Sequence, residues 1–397
     1  MPFFALPADL PPPPPVLEAG PLDHRPADYD GSFDAPPFTS WIRRLPGAKP
    51  VMASRSDTAR PLVEGPWIYT GTPGREALLR LSREDASTDL VFPAAGPVKA
   101  EPVRVGDRIV FADGAGYVWC YDDTSGGEIW RRFTGAPVLS RPQVLDAVVY
   151  VAALDNVVHA IDLDTGESLW QYSHPPDKTR FSDLELYGAP TPVPAGAWLL
   201  AGFHDGRLVA LDRSSGESAW ERTVGEGRYP DLIGEPLVVG PTAYVGGFSG
   251  PFLAVDLDTR NVLWRIDAGT AALPALVAGT LYVAGTDGIL RAVDAGTGEV
   301  AWEWDSQSPG ALSRPQVTPA GVLIGSSDGG LWLIDPASGR VVWTWDEGFR
   351  LTGVSGSPAL DGRQAVAVTN AGNLLSLVAP SRPSRSRPAG PIPRGAP

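Results

Sequence analysis

A proline recurs along this chain at intervals of about 40 residues, a period that belongs to stacked or radial repeats. Pro61, Pro102, Pro142, Pro190, Pro236, Pro274, Pro315 and Pro358 each stand eight residues before an apolar residue, respectively Tyr69, Val110, Tyr150, Trp198, Tyr244, Tyr282, Leu323 and Val366. Between the two positions lies a short apolar piece and a turn; after the second runs an apolar strand, as in residues 148–153 and 281–285. Turns such as 154–156 and 204–206 follow, with Gly, Asn and Asp residues that tolerate φ > 0. A third strand ends in the pattern A-x-D-x-x-T-G-x-x-x-W, most completely from Ala160 to Trp170. Six copies keep Asp and Trp eight residues apart: Asp122/Trp130, Asp162/Trp170, Asp212/Trp220, Asp256/Trp264, Asp294/Trp302 and Asp335/Trp343. In this pattern the Asp accepts N–H bonds of a turn, the Gly takes its left-handed corner, and the Trp enters a fourth strand and packs between neighbouring units. Four strands per unit make a propeller blade.

Proline fits a strand only where its missing N–H is not needed, and the innermost strand of a blade has such an edge facing the central channel. Period-two apolar patterning, and the lack of a helix-length stretch free of Gly and Pro, exclude an α-solenoid. Eight prolines imply eight blades, but after Pro358 only two further strands, 365–369 and 374–378, precede a Ser/Arg/Pro-rich tail. The missing outer strand is expected at the other end of the chain, where Phe38-Thr39-Ser40-Trp41-Ile42-Arg43-Arg44 precedes the first repeat. The first blade is degenerate, with Phe92 read in the Trp position and Leu81 in the Asp position. The expected fold is therefore an all-β, eight-bladed β-propeller of four-stranded antiparallel blades closed by an N-terminal strand. It occupies residues 38–380, between a Pro-rich extended segment (1–37) and an Arg/Pro/Ser-rich tail (381–397), both expected to be solvated.

Closing the ring removes the sheet edges that invite aggregation and leaves a monomer as the expected state. The formal net charge of −14 repels phosphate backbones and anionic headgroups, so neither nucleic acid nor a membrane surface is an expected partner. One cysteine, Cys120, excludes an internal disulfide; it stands at the small-residue position of the pattern and reads as a buried core thiol. His24, His159, His174 and His204 lack metal-ligand spacing, and no G-x-S-x-G, H-E-x-x-H or P-loop pattern occurs. The repeat aspartates are claimed by equivalent turns, so no residue is assigned a catalytic, metal or cofactor role.

Variation is confined to the connections between outer and inner strands, which all emerge on one face. Most Trp-to-Pro distances are 10 to 15 residues, but the distance after Trp170 is 20 and after Trp220 is 16; the connection from Trp41 to Pro61 is equally long, so length alone does not mark a site. Two long loops, 171–189 and 221–235, thus fall on adjacent blades and mix Leu184, Leu186, Tyr187 and Ile233 with Arg228 and Asp231. Apolar residues ringed by charge describe a protein-binding patch. The same aliphatic residues could equally pin the loops to the rim.

The A-x-D-x-x-T-G-x-x-x-W repeats resemble those of quinoprotein-type propellers, which include pyrroloquinoline-quinone (PQQ) dehydrogenases and the BamB family of outer-membrane assembly lipoproteins. Asp183-Leu184-Glu185-Leu186-Tyr187-Gly188 resembles the loop with which BamB contacts the barrel insertase BamA, with Tyr187 standing where the family has an arginine. Arg228-Tyr229-Pro230-Asp231-Leu232-Ile233 resembles the second contact loop, with Asp231 matching its first aspartate and Ile233 standing in place of the second. The resemblance implies a non-enzymatic scaffold that holds a BamA-like insertase through Leu184, Leu186, Tyr187, Arg228, Asp231 and Ile233, without a cofactor. It also implies a place at the periplasmic face of the outer membrane, reached through a partner or a lipid anchor, although this sequence shows neither a signal peptide nor a lipid-acceptor cysteine. A scaffold of another envelope or cytoplasmic complex is the alternative. A PQQ dehydrogenase is the lesser one, since that class commonly carries calcium and a vicinal disulfide that a single cysteine cannot form.

Overall fold

The computed structural model describes residues 36–46, 60–72, 75–175, 190–308, 310–346 and 353–379. Most of both terminal segments and the stretch holding Leu184, Leu186 and Tyr187 lie outside the described residues. The described residues form 32 strands and no helix, arranged as eight four-stranded antiparallel sheets. Seven sheets use four consecutive strands, beginning with β2 (Leu62–Glu64) to β5 (Thr88–Pro93). The eighth joins β30 (Ala359–Asp361), β31 (Gln364–Val368) and β32 (Asn373–Val378) to β1 (Phe38–Arg44).

The closure obeys the same register as the other blades. Trp41 pairs with Ser376 directly after a bulge that skips Ser40, just as Trp170 pairs with Ala160 directly after a bulge that skips Leu169. Arg83 of blade 1 ties the seam by reaching the Asp361 carboxylate and the Gln364 side chain of blade 8. Hydrophobic burial is partitioned into eight clusters, each shared by two adjacent blades. The cluster across the seam joins Trp41 and Val366 of blade 8 to Ile68 and Leu79 of blade 1.

In blades 2, 3, 5 and 6 the outer-strand Trp covers the turn of the next blade. Gly166, at φ +73°, lies so close to Trp130 that an added Cβ would stand 2.7 Å from the indole Cδ2. The indole N–H donates to the Leu163 carbonyl at 2.8 Å. Trp170, Trp264 and Trp302 make the equivalent bond to Arg213, Ala295 and Pro336 at 2.9 Å. This contact explains why Gly and Trp recur together: glycine tolerates the left-handed corner and leaves room for the ring above it.

Two positional expectations are corrected by the ladders. In blade 1 the residue equivalent to Trp is Leu90, which pairs with Arg80 immediately before the bulge, and the residue in the Asp position is Ser82. Phe92 lies two residues further along, buried among Tyr69, Phe111 and Tyr121. Arg80 takes the place of the usual small residue, and its guanidinium donates to the Asp123 carbonyl, the atom equivalent to Leu163 O. An arginine thereby supplies the interblade bond that leucine cannot make. In blade 4, Val193 pairs with Leu200, so the inner-strand proline is Pro192 and not Pro190. Three prolines alternate in this segment, Pro190, Pro192 and Pro194, and only the ladder distinguishes them.

Cys120 is fully buried, and burial pushes its thiol up to about 11. The six turn aspartates accept the predicted bonds; Asp162 Oδ1 takes the N–H groups of Asp164 and Thr165 at 3.0 and 2.8 Å and the Thr165 hydroxyl at 3.0 Å. All six are held below the usual carboxylate range. A backbone N–H is the leading cause at Asp122, Asp162, Asp256 and Asp294, and a serine hydroxyl leads at Asp212 and Asp335.

Because these carboxyls are more acidic folded than unfolded, their stabilisation is complete above the unfolded pKa of about 3.9 and is lost as pH falls through the lower folded values. The thermal midpoint is expected to vary little from about pH 5 to 7 and to fall below about pH 4, with a smaller fall in Asp162→Asn. For the closure, Trp41→Ala should cost about 3–5 kcal/mol in urea unfolding, as for a buried core aromatic. Leu169→Ala, on an exposed outer-strand position, should change stability by no more than about 0.5 kcal/mol. Equal effects of the two substitutions would mean that β1 is not integral to the ring.

Candidate functional site

The inner strands of neighbouring blades contact one another around the channel, and the outer strands face solvent. Every connection from outer to inner strand therefore ends at the channel rim on one face. The two long connections flank the turn of blade 4 between β15 (Trp198–Gly202) and β16 (Arg207–Asp212). From one side, at the start of the first loop, His174 stacks on Phe203 with ring centroids 4.1 Å apart and bonds Asp205 Oδ2 through Nε2 at 2.9 Å. From the other side, Leu232 of the second loop is fully buried and donates its N–H to the Phe203 carbonyl at 3.1 Å.

The second loop is held as a compact knob. Phe248 N–H donates to Asp231 O at 2.8 Å and Ser249 N–H to Tyr229 O at 2.9 Å, so blade 5 grips the loop that blade 4 supports. Gly225 permits the fold-back: an added Cβ would lie 1.7 Å from the Pro230 carbonyl oxygen. Tyr229 meets Phe248 edge-on, with centroids 6.3 Å apart, and Arg228 lies over the Tyr229 ring at 5.3 Å. The exposed tip is Glu226-Gly227-Arg228, with Glu226 lying 3.5 Å from Arg265 of blade 5.

The residues singled out in sequence thus separate. Arg228 is exposed, Ile233 is half-buried, and Asp231 is fully buried with its carboxylate 3.9 Å from His204 Nδ1. Asp231 belongs to the base of the knob rather than to its surface. Leu184, Leu186 and Tyr187 lie outside the described residues. His174, Phe203, His204 and Asp205, which join the two loops, were not singled out. Their only sequence signal is position: His174 ends an outer strand, and the other three lie in a turn that looked like any other. Among the described residues, no three His, Cys, Asp or Glu side chains come together as ligands for a metal ion.

Sheets of this order, with a proline opening each inner strand and a Trp-type anchor in each outer strand, define a closed propeller of PQQ-like repeats. A family model described as outer membrane protein assembly factor BamB matches residues 80–303 and 252–381, most of the ring. The chain belongs to this family. It is 24% identical over 165 residues to the outer membrane protein assembly factor BamB of Shewanella oneidensis, covering 40% of each chain. It is also 34% identical over 143 residues to a quinohemoprotein alcohol dehydrogenase of Comamonas testosteroni, covering 32% of this chain and 19% of that one. Both alignments thus span well under half of the relative's length. The crystal structure of BamB from Moraxella catarrhalis superposes with a TM-score of 0.72 at 18% identity, covering 86% of this chain and 99% of that one, so the fold is shared.

Gly225→Ala should displace the knob without unfolding the ring. Amide exchange at Phe248 and Ser249 is expected to accelerate, while exchange at core amides such as Val209 stays unchanged. Unaltered exchange at Phe248 would show that the fold-back does not depend on Gly225.

Proposed function

We propose that this protein is a non-enzymatic scaffold at the periplasmic face of the outer membrane, where it holds the insertase subunit of a barrel assembly machine and supports insertion of barrel proteins. Family membership over most of the ring supports the assembly role. The observation that carries the site is the knob after Trp220, fastened to two blades and exposing Glu226 and Arg228. A rigid knob binds with little ordering cost, because its backbone is already fixed. Leu184, Leu186 and Tyr187 would supply apolar contact area, and Arg228 a charge at the rim. Asp231 and Ile233 would then act by holding the knob in shape.

Arg228→Glu and, separately, Leu184→Ala with Leu186→Ala are expected to weaken capture of a purified barrel insertase by about tenfold or more, on the scale of hot-spot residues, with an unchanged thermal midpoint. Capture at wild-type strength by both variants would place the docking surface elsewhere on the ring.

The identity with a quinohemoprotein alcohol dehydrogenase supports a second reading as a quinone-dependent oxidoreductase. The donor set fits it poorly: Cys120 is the only cysteine, and the repeat aspartates are occupied by turn N–H groups. Dye reduction after addition of PQQ, calcium and an alcohol would favour that reading over the scaffold.

A further inference from the structure

The residue before each inner-strand proline holds the same place at the channel rim in every blade, and in five blades it is charged: Arg60, Glu101, Arg141, Glu235 and Arg314. Arg141 Nη2 lies 3.2 Å from Glu235 Oε1 although blade 4 separates their blades, so these side chains meet across the channel rather than along its wall. Three guanidinium groups face two carboxylates, leaving one positive charge in excess. Among the described residues, only Arg141 of the three arginines has a carboxylate within ion-pair distance. In ring order Glu101 falls between Arg60 and Arg141, whereas Arg314 on blade 7 is flanked by Leu273 and Ser357. Its backbone N–H is fixed by Ser357 Oγ at 3.0 Å, and among the described residues no carboxylate lies within ion-pair distance of its guanidinium. Burial lowers its pKa; Glu101 and Glu235 oppose that effect, and Arg141 and Arg60 add to it. An arginine does not give up its proton in a protein, so the buried guanidinium keeps its charge and is favoured by a counter-charge beside it. Beside Arg141, Ser140 Oγ is a buried hydroxyl without a hydrogen-bond partner among the described residues.

We propose that this channel mouth binds a small, multiply charged oxyanion, with Arg314 as the principal contact and Arg60 and Arg141 completing a cationic arc. The planar fork of arginine matches the oxygen pairs of phosphate and carboxylate groups, and the low-dielectric channel wall strengthens such a pair. Glu235 restrains Arg141, and the negative charges of Glu101 and Glu235 would set an upper limit on ligand charge.

Isothermal titration of the full chain with inorganic phosphate and with citrate, at low ionic strength in a chloride buffer, tests the site. At least one anion should bind saturably; tighter phosphate would identify a compact tetrahedral oxyanion as the ligand type, tighter citrate a polycarboxylate. Arg314→Gln is expected to weaken binding about tenfold or more, through loss of a charge-assisted pair. Glu101→Gln should strengthen it several-fold. Because Arg314 lacks an ion-pair partner, Arg314→Gln without anion should melt at or above the wild-type temperature. The proposal is overturned if neither anion saturates, if Arg314→Gln binds as wild type, or if that variant melts well below it. These readouts are independent of insertase capture, so either proposal can fail without the other.

Discussion

The ring depends on one recurrent contact, an outer-strand tryptophan laid over the turn of the next blade with its indole N–H bonded to a carbonyl there. A single blade is a four-stranded sheet that cannot bury both of its faces. In blades 2, 3, 5 and 6 the indole removes a large apolar area from water and satisfies its own polar atom in the neighbour, so burial and hydrogen bonding act in the same direction. Since every hydrophobic cluster spans two blades, each blade is stable only as part of the series. An open array of such units needs polar caps at its ends. Here Trp41 closes the last interface with the same register and bulge as the others, and no end remains to be capped.

Departures from the repeat show what the contact requires. At Arg260 of blade 5 and Ala86 of blade 1, non-glycine residues adopt φ +63° and +59° where blades 2, 3, 4, 6 and 7 have glycine, so the corner itself is kept when the residue type is not. Blade 1 loses the tryptophan, and the cost is met at a distance: Leu90 is smaller, Arg80 is larger, and the arginine reaches the carbonyl that an indole would have reached. Arg80 also faces the buried carboxylate of Asp123, which accepts from Tyr69 Oη at 2.8 Å and Arg104 Nε at 2.7 Å. The neutral indole bond is replaced by a charged network, with desolvation offset only because every donor finds an acceptor.

These departures explain which parts of the structure were legible in the sequence. Strand order, blade number and closure through Trp41 follow from patterns that repeat with a physical reason: alternation, left-handed turn residues and a large aromatic at a fixed offset. Blade 1 defeated that reasoning because the aromatic nearest the expected offset, Phe92, is a core residue of the same strand. The register is set by the bulge at Leu90 and by Arg80, neither of which the pattern contains. Blade 4 offers three prolines, Pro190, Pro192 and Pro194, and hydrogen-bond pairing of Val193 with Leu200 chooses among them. In the loops the limit is different. Asp231 and Arg228 are three residues apart and both charged, yet one is buried and the other exposed, because the backbone bonds from Leu232 and to Asp231 O fix the direction of each side chain. No short-range pattern encodes a choice made by Phe203 and Phe248 on two other strands.

The repeat also dictates where this fold can differ from its relatives. Inner, middle and outer strands are each tied to neighbours on both sides, so a change there propagates around the ring. The connections on the rim face are tied only at their ends, and they are where charge and length vary most. Glu235 belongs to both kinds of position: it ends the loop that carries the knob and also pairs with Arg141 across the channel. The knob and the channel mouth are thus two ends of one short stretch, Asp231 to Glu235, the first end fixed by Phe203 and Phe248 and the second by Arg141.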